Sequence, residues 1–215
     1  MIIAFEGIDG SGKSTLFEMT YEYLSKKNKV IKTKEPGGTE FGNQIRNILL
    51  NPDNDIPLDT EILLFAADRA YNVKHIYEKY YYKAVILTDR SVISSLVYQG
   101  YVKPEKHSIM NVLKVMEINS KVLKGYTPDI VFFIDTEPEI AAKRIIQRDK
   151  LDRMEQTVID KLDKVRQGYK FVFENFTLSI VYTINGNQTP EESFEDIKKE
   201  LDRIGGTAWK HLLII

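Results

Sequence analysis

The chain has 215 residues, no cysteine, and a formal net charge of −1 from 30 basic and 31 acidic side chains. These values exclude a disulfide framework, a thiolate metal site and a globally basic surface for nucleic acid. With 43% hydrophobic and 28% charged residues it is long enough to bury one sizeable core, and no apolar run approaches the ~20 residues of a membrane span.

In chain order, residues 2–5, 30–33, 84–88, 130–134 and 179–184 are short β-rich runs. Three of them are nearly continuous in apolar residues, as central parallel strands buried on both faces are. Helical patterns fill the intervals at 13–27, 39–50, 58–82, 105–124, 138–148, 155–175 and 190–204. Asp59 or Thr60 precedes the apolar face of the third. Thr136-Glu137-Pro138 and Thr189-Pro190-Glu191 have the form of a cap followed by an early proline. Strand–helix alternation implies an α/β fold with a five-stranded parallel sheet and helices on both faces, a three-layer sandwich forming one domain over residues 1–215. The first apolar run starts at residue 2, so the chain is expected to lack a signal peptide and to be cytoplasmic.

Residues 7–15 read Gly-Ile-Asp-Gly-Ser-Gly-Lys-Ser-Thr, which is G-x-x-x-x-G-K-S, the phosphate-binding loop of P-loop nucleotide enzymes. Gly10 and Gly12 let the backbone curl so that its N–H groups point inward around an anion. Lys13 reaches the terminal phosphates, and the Ser14 hydroxyl is a ligand for Mg²⁺. Gly7, Ile8, Asp9, Ser11 and Thr15 complete the expected ATP-binding loop. The loop lies between a strand end and a helix N-terminus, where the helix dipole favours phosphate. A chance glycine-rich turn is the alternative, and the flanking strand and helix argue against it.

Ligands of such sheets bind at the carboxyl ends of the strands. The second strand is followed by Lys34-Glu35-Pro36-Gly37-Gly38, the third by Asp89-Arg90-Ser91, the fourth by Asp135 and the fifth by Asn185-Gly186-Asn187. Charged and glycine-rich groups thus converge on one edge, as a two-nucleotide phosphotransferase requires. No Asn-Lys-x-Asp signature for guanine is present, so a small kinase is favoured over a GTPase switch. Asp89 ends a strand where a Walker-B acid stands, suited to Mg²⁺; a structural pair with Arg90 is the alternative. The planar fork of Arg90 suits an acceptor phosphate. Phe65 and Arg69 are one helical turn apart and share a face. An aromatic plane and a guanidinium can stack on a pyrimidine and bond its carbonyl, although plain core packing would also account for Phe65.

The resemblance to a known family is specific. The run from Phe5 to Thr15 is similar to the opening of thymidylate kinases. Glu35-Pro36-Gly37-Gly38-Thr39, Leu64-Phe65-Ala66-Ala67-Asp68-Arg69, Asp89-Arg90-Ser91 running to Tyr98-Gln99-Gly100, and Leu151-Asp152-Arg153-Met154-Glu155 follow in the family's order. The resemblance implies transfer of the γ-phosphoryl of ATP to thymidine monophosphate, with Mg²⁺, in a homodimer without nucleic-acid or membrane partners. Another pyrimidine nucleoside-monophosphate kinase, or an ATP-binding switch without transfer, are the other readings. It further implies a catalytic set of Asp9, Lys13, Arg90, Arg148 and Arg153, and acceptor contacts from Asp9, Glu35, Arg46, Phe65, Arg69, Arg90, Ser95, Tyr98 and Gln99. The basic run at residues 143–153, which a solvated helix face would also explain, falls where the family has its lid, about residues 144–155 here. No arginine stands inside this phosphate loop, and in such members the lid supplies the cations. Arg148 and Arg153 are the candidates, while Arg144 is expected across the adenine. The Glu35-Pro36 bond is a candidate for cis geometry, and Ser91 stands where an aromatic residue or histidine is common.

Overall fold

The computed structural model describes residues 1–104, 108–146 and 161–205. Five parallel strands form one sheet: β1 (Ile2–Glu6), β2 (Val30–Lys34), β3 (Val85–Asp89), β4 (Ile130–Asp135) and β5 (Ile180–Asn185), in the order β2-β3-β1-β4-β5. Every β-rich run is a strand, displaced by at most a residue or two at its ends. The near-continuous apolar runs are β1, β3 and β4, which occupy the middle of the sheet and are buried almost throughout. The edge strands β2 and β5 mix polar with apolar residues and remain partly exposed, because each has only one neighbouring strand.

The helices are α1 (Lys13–Ser25), α2 (Glu40–Leu50), α3 (Leu58–Asn72), α4 (Val92–Ser95), α5 (Ile109–Leu123), α6 (Pro138–Ile146), α7 (Leu162–Asn175) and α8 (Pro190–Gly205). One face of the sheet packs Ile2, Ala4, Ile86, Val131 and Phe133 against α3, α5 and α7. The other packs Ile3, Phe5, Leu87, Phe132 and Ile134 against α1 and α8. Phe5 is central there, with ring centroids 5.7 Å from Phe17 and 5.5 Å from Phe132, within the range of favourable aromatic pairs.

Two helical features differ from the sequence reading. The pattern over 58–82 is continuous, but α3 passes at Val73–Tyr77 into a π-helical segment before one further turn at Glu78–Tyr80. It begins at Leu58 after Pro57, so Asp59 lies within the first turn rather than preceding it. The second feature, α4, continues as a π segment over Leu96–Val102 and was absent from the expected helices. Val92, Ile93, Leu96, Val97, Tyr98 and Val102 are all buried. A helix surrounded by core shows no amphipathic period, and β-branched residues and serines disfavour it intrinsically. Ser91 starts it, its hydroxyl accepting from the Ile93 amide. At α8, Thr189 and Glu192 form a reciprocal cap. The Thr189 hydroxyl accepts from the Glu192 amide, and the Glu192 carboxylate accepts from the Thr189 amide. The expected helix starts at 105 and 155 lie outside the described residues, as does the end of the 138–148 helix.

Candidate active site

The loop after β1 is built by backbone geometry. Gly7, Gly10 and Gly12 have φ of 149°, 78° and 93°, values that L side chains rarely adopt. At Gly10 a Cβ would lie 2.4 Å from the Ala141 carbonyl oxygen, so only glycine lets α6 approach. Gly12 precedes α1 without a side-chain cap. The first amides of α1 are therefore left for an anion. The Lys13 ammonium lies across the loop and donates to the Ile8 carbonyl at 2.9 Å. Burial, then the charge of Arg90, lowers its pKa to about 8.

Asp9, Gly10, Gly12, Lys13, Ser14 and Thr15 line one end of a cleft of about 1030 Å³ including its open mouth, and Leu50, Phe65 and Gln99 belong to the same lining. Arg90 stands between these groups. Its backbone is left-handed, with φ 71°, an uncommon state for a non-glycine residue. Nη1 of the guanidinium donates to the Ser94 hydroxyl at 3.0 Å and to the Tyr169 hydroxyl at 3.1 Å. Nη2 pairs with Asp9, and the plane lies 5.2 Å from the centre of the Tyr98 ring. The Tyr98 hydroxyl donates to the second Asp9 oxygen at 3.3 Å, and burial pushes the Tyr98 pKa up.

Asp89 ends β3 beside Ser14, and both line the main cleft and a neighbouring hollow under β2. One Asp89 carboxylate oxygen is buried without a hydrogen-bond partner. An orphaned carboxylate oxygen next to a hydroxyl is a pair of hard donors that fits a magnesium ion.

Phe65 is half-buried and faces this space rather than the core. Arg46 also lines it and donates to the Pro36 carbonyl at 3.1 Å. Ser95, Tyr98 and Gln99 are brought to it by α4 and its π segment. The Gln99 amide donates to the buried Glu61 at 2.7 Å, and Lys103 pairs with the same carboxylate.

Glu35 and Arg69 lie behind the wall and do not line the cleft. Arg69 Nε donates to Glu35 at 2.7 Å, Nη1 donates to Asn119 of α5, and Nη2 donates to the Ser95 hydroxyl at 3.1 Å. Glu35 also accepts from Tyr77 at 3.0 Å and Asn72 at 3.4 Å. The Glu35-Pro36 peptide is cis. Nearby, Asp68 accepts from the Gly37 amide at 3.1 Å, while its other oxygen is buried without a partner. Burial, then the charge of Glu35, raises its pKa to about 6.

Arg144 reaches over the phosphate loop, donating to the carbonyls of Ser11 at 3.3 Å and Gly186 at 3.0 Å. It borders a second hollow with Gly186, Gln188 and Pro190. Arg148 and Arg153 lie outside the described residues.

Sequence reasoning did not single out Glu6, Asn119 or Tyr169. Glu6 gave a signal, since it is the sole charge in an otherwise apolar strand buried on both faces. Tyr169 and Asn119 gave none, because each lies in an ordinary amphipathic helix far along the chain.

Phosphate loop, Walker-B acid and parallel topology together define a P-loop nucleotide-binding phosphotransferase fold. The model of the family described as thymidylate kinase matches residues 5–197. The thymidylate kinase of Clostridium novyi is 36% identical over 202 residues, covering 91% of this chain and 95% of that protein. That of Thermosipho melanesiensis is 39% identical over 210 residues, covering 94% and 98%, and that of Caldicellulosiruptor saccharolyticus is 38% identical over 205, covering 93% and 95%. The chain belongs to the thymidylate kinase family.

Proposed function

We propose that this chain transfers the γ-phosphoryl group of ATP to thymidine monophosphate, giving the diphosphate used in dTTP synthesis. The carrying observation is one cleft that joins Lys13 and Arg90 at one end to the half-buried Phe65 ring at the other. A doubly charged acceptor and a triphosphate repel by several kcal/mol even at ~4 Å and an effective dielectric of about 20. Catalysis is therefore mainly positioning and charge neutralisation. A phosphate with a second pKa of ~6 is already an anion at neutral pH, so no general base is needed.

Lys13 and the loop residues Gly7 to Thr15 hold the donor phosphates, and Arg144 lies beside its adenine. Ser14 and Asp89 would hold Mg²⁺, which when bound draws negative charge from the donor phosphates. Arg90, with Arg46, holds the acceptor phosphate, and Asp9 orients Arg90 and the sugar. Phe65 stacks on the pyrimidine, and Ser95, Tyr98 and Gln99 border the nucleoside. Arg69, fixed by Glu35 behind the wall, donates to the Ser95 hydroxyl and so orients a group that borders the nucleoside. Arg148 and Arg153, outside the described residues, are assigned to neutralise the transferring phosphoryl group on the family resemblance.

A homodimer is part of the proposal. It is supported by exposed Leu63 on α3 and exposed Ile109, Met110 and Leu113 on α5, and light scattering in solution tests it. No described helix is long and apolar enough to cross a membrane, and with the absence of cysteine this supports a cytoplasmic setting. The deciding experiment is ATP- and Mg²⁺-dependent diphosphate formation from thymidylate, deoxyuridylate, uridylate, cytidylate, deoxyguanylate and adenylate in parallel. Strong preference for thymidylate is expected. Turnover of another monophosphate alone would sink the pocket assignment, and no turnover would sink the reaction.

A further inference from the structure

A fully buried acid beside the cleft contacts none of the cleft-lining space itself. Glu6 ends β1, has no exposed surface and is not part of the lining. Its Oε1 accepts from the Ser91 hydroxyl at 2.7 Å; its Oε2 accepts from the Ser94 hydroxyl at 2.7 Å and the Tyr169 hydroxyl at 2.9 Å. Among the described residues no lysine or arginine forms an ion pair with it. Burial raises its pKa, while the nearby charge of Arg90 and the three hydroxyls act in the opposite direction.

A carboxylate offers only lone pairs, so each of these hydroxyls must aim its single hydrogen at Glu6. That commitment sets a polarity. The Ser94 and Tyr169 oxygens, 3.0 Å apart, have no hydrogen left for each other and present lone pairs on their far side. Nη1 of Arg90 donates to both of them, at 3.0 and 3.1 Å. Asp9 takes Nη2. The guanidinium is thus held on two edges, by a carboxylate directly and by a second carboxylate through two hydroxyls. The three elements that meet here, β1, α4 and α7, come from distant parts of the chain.

We propose that Glu6 is a positioning residue for phosphoryl transfer: through Ser94 and Tyr169 its buried carboxylate sets the orientation of Arg90 toward the acceptor phosphate. The proposal rests on the role given above to Arg90. Glu6→Gln has nearly the same shape but introduces two N–H donors. With that amide turned to Ser91, Ser94 and Tyr169 keep only a neutral and weaker acceptor, and in the other orientation a hydroxyl must turn its hydrogen toward Arg90; in both the hold on the guanidinium weakens. Tyr169→Phe keeps the ring, which packs 5.3 Å from Phe133, and removes one link without reversing any.

The test is a double-mutant cycle on steady-state kinetics with thymidylate and ATP, using Glu6→Gln, Arg90→Lys and the pair. Arg90→Lys keeps a cation but gives up the planar fork. Glu6→Gln is expected to lower kcat/KM for thymidylate on the order of 10–100-fold, the scale of a small misplacement of a reacting group. KM for ATP should stay within about twofold, and in the Arg90→Lys background the Glu6→Gln effect should shrink to within about twofold, the scatter of non-interacting sites. A purely structural role would give an equal loss in both backgrounds, and that result would overturn the proposal, as would full activity of Glu6→Gln. Should Glu6→Gln not fold, the same cycle is run with Tyr169→Phe. A several-fold loss confined to the Arg90 background is then expected, and an unchanged rate overturns the proposal. Wild-type enzyme without thymidylate turnover would sink the proposed reaction instead, so the two failures are distinguishable.

Discussion

Two arginine–carboxylate pairs stand near opposite ends of the cleft, and they are built differently. Arg90 and Asp9 keep 19% and 16% of their side-chain surface exposed. Arg69 and Glu35 keep 1% and 3%. The first pair sits in a wet, open wall, where a phosphate can compete for the guanidinium. The second is sealed among Tyr77, Asn72 and Asn119, so its bonds are fixed before any ligand arrives. The same chemical pairing is therefore left accessible from the cleft in one place and sealed from it in the other. Desolvation separates them: a sealed pair is strongly destabilising to break, while one that keeps part of its surface open loses less when a partner changes.

The largest expected effect tests the sealed pair. Arg69→Ala should lower the unfolding free energy by about 3–5 kcal/mol, because Glu35 is left buried and uncompensated. Urea denaturation reads this directly, and near-wild-type stability would erase the contrast. Arg90→Ala should behave in the opposite way, with thermal stability little changed but kcat down about 10²–10³-fold, the scale of a lost transition-state contact. A large drop in melting temperature with kcat preserved would reverse the two roles.

Asp68 sharpens the picture at the sealed end. In the folded chain burial and the charge of Glu35 raise its pKa to about 6, from the ordinary 3.8 of an aspartate. The folded state thus holds its proton longer than the unfolded chain, and stability falls as pH rises through that window, then levels above it. The contribution is on the order of 2–3 kcal/mol. Asp68→Asn should flatten the stability-against-pH curve between those two values, and an unaltered slope would show that Asp68 is not its source. The smallest effect is expected at the open end. Tyr98→Phe removes one long bond to Asp9, worth about 0.5–1.5 kcal/mol, and should lower kcat/KM no more than about tenfold in the thymidylate assay.

The sheet was legible because burial writes itself into composition. Ile2-Ile3-Ala4-Phe5 and Ile130-Val131-Phe132-Phe133 carry no polar face, which is what central parallel strands require. The phosphate loop was legible because only glycine tolerates its dihedral angles. The helix at Val92–Ser95 was not, since full burial removes the periodicity that marks a helix. The same applies to the site. Lys13, Asp89 and Arg90 follow strand ends, a position that can be read from local sequence. The sealing of Arg69 depends on Asn119 and Tyr77, whose proximity arises only when α3 and α5 pack. Glu6 shows the intermediate case: its misplaced charge was visible, but its partners Ser94 and Tyr169 were not.

The strand order also bears on how the chain folds as it is made. β1 pairs with β3 and with β4, and the amide of Ile2 is bonded to Asp129, 127 residues later. At roughly 5–20 residues per second of synthesis, the first strand waits on the order of 10 s for its second neighbour. During that interval an apolar, β-prone segment is held without its pairing edges. A chaperone that covers Ile2–Glu6 over that interval would shield these unpaired edges.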